Sequence, residues 1–280
     1  MKSIFGFLFL ALSVVSLNAQ ELYPYTEPAS NMPAKSASVK FTSMFSRGVH
    51  SNRILQRHMP ELMLGINNKW MVHGGLSFSD MHEEQFIFES VRLYGKYRFL
   101  SIDEVHKHFR MAAFGAASYS RNHMDHNEIN LMGDHTGIQG GLIATQLWNK
   151  LALSATGSWN EVLHKERWIK QPAKAYAFSA LNYSLSAGYL LFPIEYKSYD
   201  QTNVNLYAEM LGSKNTKSDS FYVDLAPSLQ FIFKSTGKLN IGYRFQLDGN
   251  IYRLADKSFM ISYEHIFLNA LRKKKKITTP

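Results

Sequence analysis

Apolar and polar residues alternate with a period of two along most of this chain. In residues 181–191, 239–248 and 257–268, an apolar side chain stands at nearly every second position, with polar or small residues between them. Such a period is typical of β-strands that present one apolar and one polar face. It predicts twelve strands, near residues 37–47, 59–66, 69–79, 86–100, 108–120, 136–148, 150–160, 175–191, 203–212, 220–233, 237–248 and 257–268.

Most of these segments are long enough to cross a membrane, which takes a tilted strand of roughly 9 to 11 residues. Strands in lipid cannot leave backbone groups unpaired, so the sheet must close. We predict an all-β fold, a closed antiparallel up-and-down transmembrane β-barrel over residues 37–268, with about 12 strands (roughly 10 to 14). A soluble β-sandwich or lipocalin-like barrel is the alternative, because alternation alone leaves open which face points inward.

The predicted connections alternate in length. Residues 67–68, 149–150 and 234–236 form tight turns, whereas residues 48–58 and 121–135 form two of the long connections. Outer-membrane barrels have short periplasmic turns and longer external loops, so the N-terminus is predicted on the periplasmic side. The main exception is the longer supposed turn at residues 192–202.

The N-terminus has the pattern of an export signal. Residues 4–17 are nearly continuously apolar after a basic start at Lys2, and Ala19 offers a small residue for cleavage before Gln20. About 14 apolar residues are too few for a membrane-spanning helix. We predict a cleaved signal peptide at residues 1–19 and a mature chain in the outer membrane of a Gram-negative cell.

Two segments flank the predicted barrel. Residues 20–36 contain Pro24, Pro28 and Pro33, which prevent a regular strand throughout, and form a Pro-rich periplasmic N-terminal segment that can enter the barrel mouth as a partial plug. Residues 269–280 form a basic C-terminal tail. That tail is either solvated or in contact with anionic lipid head groups or a periplasmic partner.

Composition narrows the possible chemistry. The chain has a formal net charge of +9 and no cysteine. The absence of cysteine excludes disulfides, thiolate metal sites and cysteine nucleophiles. Nucleic acid is not an expected partner of an exported chain, so the basic excess indicates anionic lipids, cell-wall acids or anionic solutes.

Charged residues at alternate strand positions are candidates for the lumen. The alternation assigns six of them to the luminal face: Arg92, Lys96, Arg98, Arg110, Arg244 and Glu264. Such a basic set could favour anionic solutes, or it could pair with carboxylates across a narrow lumen. A twelve-stranded barrel is intermediate between packed small barrels and open porins, so side chains can fill it.

Histidines concentrate in the predicted external connections, including His58 and His82. The densest run provides five candidate metal ligands: His123, Met124, His126, Met132 and His135. Imidazole with thioether suits copper, and imidazole with carboxylate suits zinc or nickel. The alternatives are solvated loop histidines and lipopolysaccharide contacts. We predict no resident cofactor, with copper or zinc in this loop as the open hypothesis.

Enzymatic activity is not predicted. A barrel of this length also resembles the outer-membrane phospholipase family, which places a His and a Ser on one strand face. Here His50, Ser51 and Asn52 are consecutive in a predicted loop. Neighbours in a strand point to opposite faces, so His50 and Ser51 could not form a catalytic relay, and we name no catalytic residue.

The exported start, the Pro-rich residues 21–33 and the twelve or so strands resemble the uncharacterised outer-membrane β-barrel proteins of Bacteroidetes-type bacteria, which are loosely similar to transporter-like barrels. In such barrels the last strand is read by the barrel-assembly machinery, which makes Tyr263, His265 and Phe267 the candidate assembly signal. The chain departs from the usual pattern, because it continues beyond Phe267 instead of ending at an aromatic residue.

The sequence therefore predicts a channel or transporter-like barrel for small solutes, with anionic or metal-linked solutes as candidates. The alternative is a structural or interaction barrel that anchors a periplasmic or secretion partner. Expected surroundings are outer-membrane lipid, lipopolysaccharide and the barrel-assembly machinery.

Overall fold

Twelve antiparallel strands close into one barrel in the computed structural model, which describes residues 23–49, 53–123, 126–163, 178–195 and 200–272. Each strand pairs with its neighbours in sequence, and the first pairs with the last in a register that sets Phe41 opposite Tyr263. The strands are β1 (Ser36–Gly48), β2 (Ile54–Gly65), β3 (Trp70–Ser79), β4 (Ile87–Asp103), β5 (Lys107–Ser120), β6 (Gly137–Trp148), β7 (Leu151–Val162), β8 (Ser179–Phe192), β9 (Asn203–Asn215), β10 (Phe221–Phe233), β11 (Gly237–Gly249) and β12 (Ala255–Phe267). The predicted fold class is confirmed.

The two faces of the barrel wall differ in polarity. Outward side chains are apolar and open to the surroundings, for example Leu93, Leu142 and Leu185, which are more than half exposed. Inward side chains are polar and buried, such as Glu209 and Gln230. A soluble barrel would have the reverse arrangement, so the soluble alternative is wrong and the outer belt faces lipid. This is the architecture of β-barrels in outer membranes.

The short connections gather at one end of the barrel. Residues 149–150 and 234–236 turn there, with positive φ angles of 48° at Asn149 and 49° at Lys234. The longer connections, including residues 121–136, gather at the opposite end. Following the general rule for such barrels, we call these the periplasmic and the external end. In the described part of the chain, no helix is long and apolar enough to cross a membrane.

Strand β2 begins earlier than the pattern predicts. It starts at Ile54 rather than near residue 59, so His58 lies in a strand and not in an external connection. The His58 ring stacks on Phe41 with the ring centres 5.9 Å apart. The strand tolerates Pro60, which cannot donate a ladder hydrogen bond: pairing with β1 is continuous there, whereas pairing with β3 skips residues 59–60.

Candidate functional site

Residues 23–35 lie inside the barrel towards its periplasmic end, and we call them the plug segment. The Lys96 ammonium on β4 is fully buried and holds this segment from the wall. Its Nζ donates to the carbonyl oxygens of Pro28 (2.7 Å) and Ser30 (2.9 Å), and it pairs with Glu27 Oε2 at 3.1 Å. One cation thus neutralises a carboxylate and satisfies two backbone carbonyls that the prolines leave outside any sheet.

A buried carboxylate holds the start of the plug segment from the opposite wall. Glu209 on β9 accepts hydrogen bonds from the Tyr25 backbone nitrogen (2.9 Å), from Thr26 Oγ1 (2.6 Å) and from Ser186 Oγ (3.1 Å). Three donors replace the water that a carboxylate loses on burial. The plug segment is therefore bonded to the wall on two sides of the lumen.

Close packing against glycines completes this fit. A Cβ atom on Gly65 of β2 would lie 2.3 Å from the carbonyl oxygen of Pro33. A Cβ atom on Gly242 of β11 would lie 2.7 Å from the Tyr25 ring. These distances are well inside van der Waals contact, so the plug segment can approach the wall here only because both positions are glycine.

The ion pair between Lys96 and Glu27 predicts that acid releases the plug segment from the barrel wall. Burial alone would raise the pKa of Glu27, but Lys96, followed by His73 and Lys40, outweighs it and lowers the pKa to about 2, from an ordinary value of 4.5. A depressed carboxyl pKa stabilises the seated segment fully above pH 4.5, and this stabilisation is lost as the pH falls towards 2. Channel current should rise across that window, and Glu27→Gln should lack this component. An identical acid response in both proteins would contradict the assignment.

The described residues of the connection between β5 and β6, 121–123 and 126–136, fold into the lumen at the external end, and we call them the inner loop. Arg57 on β2 makes two hydrogen bonds to Glu89, of 2.8 and 3.0 Å, and also donates to Asp134 of the inner loop. All three side chains are buried. Gly133 is required beside this network, because it has a φ of 138° and a Cβ there would lie 2.6 Å from Arg57 Cζ.

Hydrogen bonds from the wall hold the inner loop along its length. Ser118 Oγ donates to the His135 carbonyl and Ser120 Oγ donates to the Gly133 carbonyl, both at 2.6 Å. Glu128 pairs with Arg253 of the connection between β11 and β12 at 3.2 Å. The loop is thereby bound to the barrel as a fixed inward fold.

A chamber of about 300 Å³ lies between the plug segment and the inner loop. Tyr25 and Glu27 line it from the plug segment, and Ile129 and Met132 line it from the inner loop. Its walls mix charged, aromatic and thioether side chains. A space bounded on both sides within the lumen can hold a small solute between two closures.

Arg92 on β4 contributes a positive charge to the lining of this chamber. Its Nη2 donates to Gln139 Oε1 at 3.2 Å, and no carboxylate of the described residues forms an ion pair with it. Its guanidinium carbon lies 5.4 Å from the centre of the Tyr94 ring, which stacks on Phe114. Arg92 Nε, Tyr94 Oη and His73 Nε2 are buried, and no described residue provides them with a hydrogen-bond partner. These groups can bind a polar or anionic group that enters the chamber.

The structure places the six predicted luminal residues on the inner face, in different roles. Arg92 lines the chamber, and Lys96 holds the plug segment. Arg110 also binds that segment, because its Nη1 donates to Ser30 Oγ at 2.8 Å. Arg98 lies on the same face of β4 as Lys96, nearer the periplasmic end, and is half-buried.

The other two predicted luminal residues pair within the wall. Arg244 contacts Asp224 at 2.6 Å, and Glu264 accepts hydrogen bonds from Ser38 Oγ at 2.6 Å and Lys238 Nζ at 3.3 Å. Of the two expectations for the basic set, internal pairing therefore describes Arg244, whereas solute binding stays a prediction. Arg92 keeps the capacity to bind an anion.

The predicted metal ligands separate into two groups. His126 and His135 are buried side by side, and Asp134 lies with them. His123 is exposed, Met132 is 44% exposed, and Met124 lies outside the described residues. The sequence pattern placed His82 in an external connection but did not join it or Glu89 to the predicted ligands, because both belong to other parts of the chain and only the inward fold of the loop brings them close.

The candidate assembly signal lies on the lipid-facing side of β12. Tyr263 and Phe267 are each 49% exposed, and His265 lies between them on the same face. The sequence His50-Ser51-Asn52, considered for a hydrolase relay, lies outside the described residues, as does the lysine run of the tail.

No family model and no curated protein matches the sequence. An outer membrane channel from Pseudomonas putida F1 superposes with a TM-score of 0.60 at 11% identity, over 86% of this chain and 100% of that chain. The KdgM porin gives 0.53 at 8% identity over 82% and 99%, and the NanC porin gives 0.52 at 10% over 81% and 98%. At these identities the similarity concerns the fold, and this chain has the barrel fold of outer-membrane porins and channels.

Proposed function

We propose that this protein is an outer-membrane channel for small solutes, selective for anions, and that the plug segment closes it at rest. The observation that carries the proposal is Arg92, a luminal cation without a carboxylate partner among the described residues. In a desolvated lumen, a cation that forms no ion pair with a described carboxylate attracts anions and repels cations. Tyr94 and His73 add unpaired polar atoms beside it.

The chamber lining supports a particular class of solute. Tyr94 and Phe114 present stacked rings on the side of Arg92, and Met132 and Ile129 add apolar surface from the inner loop. An organic anion whose body packs on these groups and whose charged group reaches Arg92 would match both features. One barrel of similar fold, the KdgM porin, has been solved with disordered oligogalacturonate, an acidic sugar polymer. Short acidic sugars are therefore among the solutes to test first.

Selectivity tests this proposal directly. The Arg92→Gln substitution keeps a hydrogen-bonding side chain and removes the charge, so we expect the anion-to-cation permeability ratio to fall towards or below one. Reversal potentials in planar bilayers under a salt gradient would measure it, in the native chain and in a Lys96→Met background that frees the plug segment. Arg47→Gln is the matched control, because Arg47 is exposed on β1 and its position faces outward.

Two outcomes would contradict the proposal. Anion selectivity that survives Arg92→Gln would remove Arg92 from the selective site. A complete lack of current in the native chain and in the Lys96→Met background would favour the alternative function, a structural barrel that anchors a periplasmic or secretion partner.

The remaining assignments belong to the same proposal. An exported barrel accords with a cleaved signal peptide at residues 1–19 and with a relationship to Bacteroidetes-type barrels. It also accords with insertion by the barrel-assembly machinery and with a periplasmic partner for the basic tail. We also propose that the protein has no enzymatic activity. Mass determination of the mature chain would test the first of these.

A further inference from the structure

Two histidines and an aspartate of the inner loop converge at the external end of the lumen. The nitrogen and oxygen atoms that His126, Asp134 and His135 can offer a metal lie within 4.8 Å of one another, with Asp134 Oδ2 3.9 Å from His126 Nε2. All three side chains are buried, at 2%, 5% and 1% exposure. Buried imidazoles and a carboxylate at this separation need only a small adjustment to meet one ion.

One buried polar atom of this group lacks a hydrogen-bond partner among the described residues. His135 Nε2 is buried, and the described part of the chain provides no hydrogen-bond partner for it. The other ring nitrogen, Nδ1, lies 3.1 Å from the carbonyl oxygen and 3.3 Å from the backbone nitrogen of Asn130, and these contacts fix the ring. A histidine that donates through one nitrogen to a backbone carbonyl can bind a metal through the other, which is the usual arrangement of a metal ligand.

This group lies in a network of buried charges. Asp134 and Glu89 are both buried, and both bind the same cation, Arg57. Two buried carboxylates therefore share one guanidinium. A divalent cation bound at Asp134 would supply a second positive charge to this buried group.

We propose that His126, Asp134 and His135 bind a divalent transition-metal ion, for which Zn²⁺ is the best match. Two imidazoles and a carboxylate are typical zinc donors, and in a tetrahedral site with bonds of 2.0–2.2 Å the donor atoms stand about 3.3 Å apart. Met132 is 44% exposed and does not lie among the described donors, so the described donor set matches zinc better than copper, which thioethers would favour. The fourth position remains for water or a solute group.

His82 supports the Asp134 carboxylate of this site. It lies in the connection between β3 and β4, and its Nε2 is 2.9 Å from Asp134 Oδ1, the oxygen that Arg57 also contacts. Asp134 Oδ2, which faces His126, is the oxygen left for the metal. His82 therefore orients the carboxylate and does not bind the ion.

A bound ion would join the two ends of the inner loop. Residue 126 and residues 134–135 lie on opposite sides of the stretch that lines the chamber, and Ile129 and Met132 belong to that stretch. The metal would therefore fix the external boundary of the chamber. This consequence rests on the proposed channel function, whereas the metal site itself does not.

Metal binding can be measured on the full chain refolded in detergent and stripped with a chelator. We expect one equivalent of Co²⁺ to give the visible absorption of a four-coordinate ion, and Zn²⁺ to displace it. His135→Asn keeps a polar atom near the position of Nδ1 but lacks Nε2. Loss of an outer-shell partner lowers metal affinity by at most roughly 100-fold, so loss of a ligand should lower the metal affinity of this variant by at least that factor. His82→Asn should cost less, about 10-fold.

His123→Asn is the matched control, because His123 is exposed on the same loop, and it should bind as the native chain does. Retained gel heat-modifiability would show that each variant still forms the barrel. A native chain that binds no Co²⁺ or Zn²⁺, or equal affinity in the native chain and His135→Asn, would overturn the proposal. Binding is measured without any current, so failure of the channel proposal would leave this result intact.

Discussion

Replacing Lys96 with methionine should release the plug segment and open the barrel. The substitution keeps an unbranched side chain of nearly the same length but removes the ammonium that holds the carbonyls of Pro28 and Ser30 and the carboxylate of Glu27. Breaking a buried charge pair costs about 3–5 kcal/mol, and the lower value applies because Glu27 is partly exposed to the lumen. Since each 1.4 kcal/mol is a factor of ten, the seated state should lose roughly 100-fold in relative population.

Single-channel conductance in planar bilayers would measure this release, and we expect a marked increase in mean current over the native chain. Lys69→Met is the control, because it makes the same chemical change at an exposed turn of the periplasmic end. An unchanged current in Lys96→Met, with a folded barrel, would mean that the plug segment does not limit passage.

Replacing Arg57 with methionine should detach the inner loop and destabilise the barrel. The Arg57 guanidinium is the cation shared by Glu89 and Asp134, and both carboxylates are buried. Its loss would leave two desolvated negative charges without a cation, at a cost of about 3–5 kcal/mol. We expect a lower urea midpoint for loss of the heat-modifiable band and faster proteolysis within residues 121–136, both measured in the presence of a chelator.

Two further variants separate this effect from the general loss of an arginine. Arg53→Met removes an exposed pair with Asp80 at 3.5 Å, which should cost no more than about 1 kcal/mol. Adding Glu89→Gln to Arg57→Met removes one of the orphaned charges and should restore part of the stability. Equal destabilisation by Arg53→Met and Arg57→Met would show that the buried network does not hold the loop.

The luminal residues show what alternation along a strand can predict and what it cannot. Alternation placed Lys96, Arg110 and Glu264 on the inner face, because neighbours in a strand point to opposite sides. It could not supply their partners. Lys96 bonds residues 66 and 68 positions away in sequence, and Ser38 bonds Glu264 across 226 positions. Such pairs arise only when the barrel has closed.

The histidine cluster also combines a feature that the sequence predicts with contacts that only the folded loop supplies. The density of ligand residues predicted a metal site within residues 123–135, and it gave His123 and Met132 the same weight as His126 and His135. The inward fold of the loop depends on buried contacts with Arg57 and with the serines at the end of β5, not on local periodicity. Those contacts bury His126 and His135 and leave His123 exposed.

By itself, the sequence determined the strands, their two faces, the side of the short turns and the closed barrel. The physical reason is that alternation, turn residues and strand length are local properties, and unpaired strand edges cannot persist in lipid. The prolines of residues 20–36 predicted a partial plug in the barrel mouth, but only the tertiary structure decided that residues 23–35 and the inner loop occupy the lumen. A polar side chain facing inward can bond water, a wall residue or an inserted segment, and that choice depends on distant groups that only the closed barrel brings within hydrogen-bonding distance.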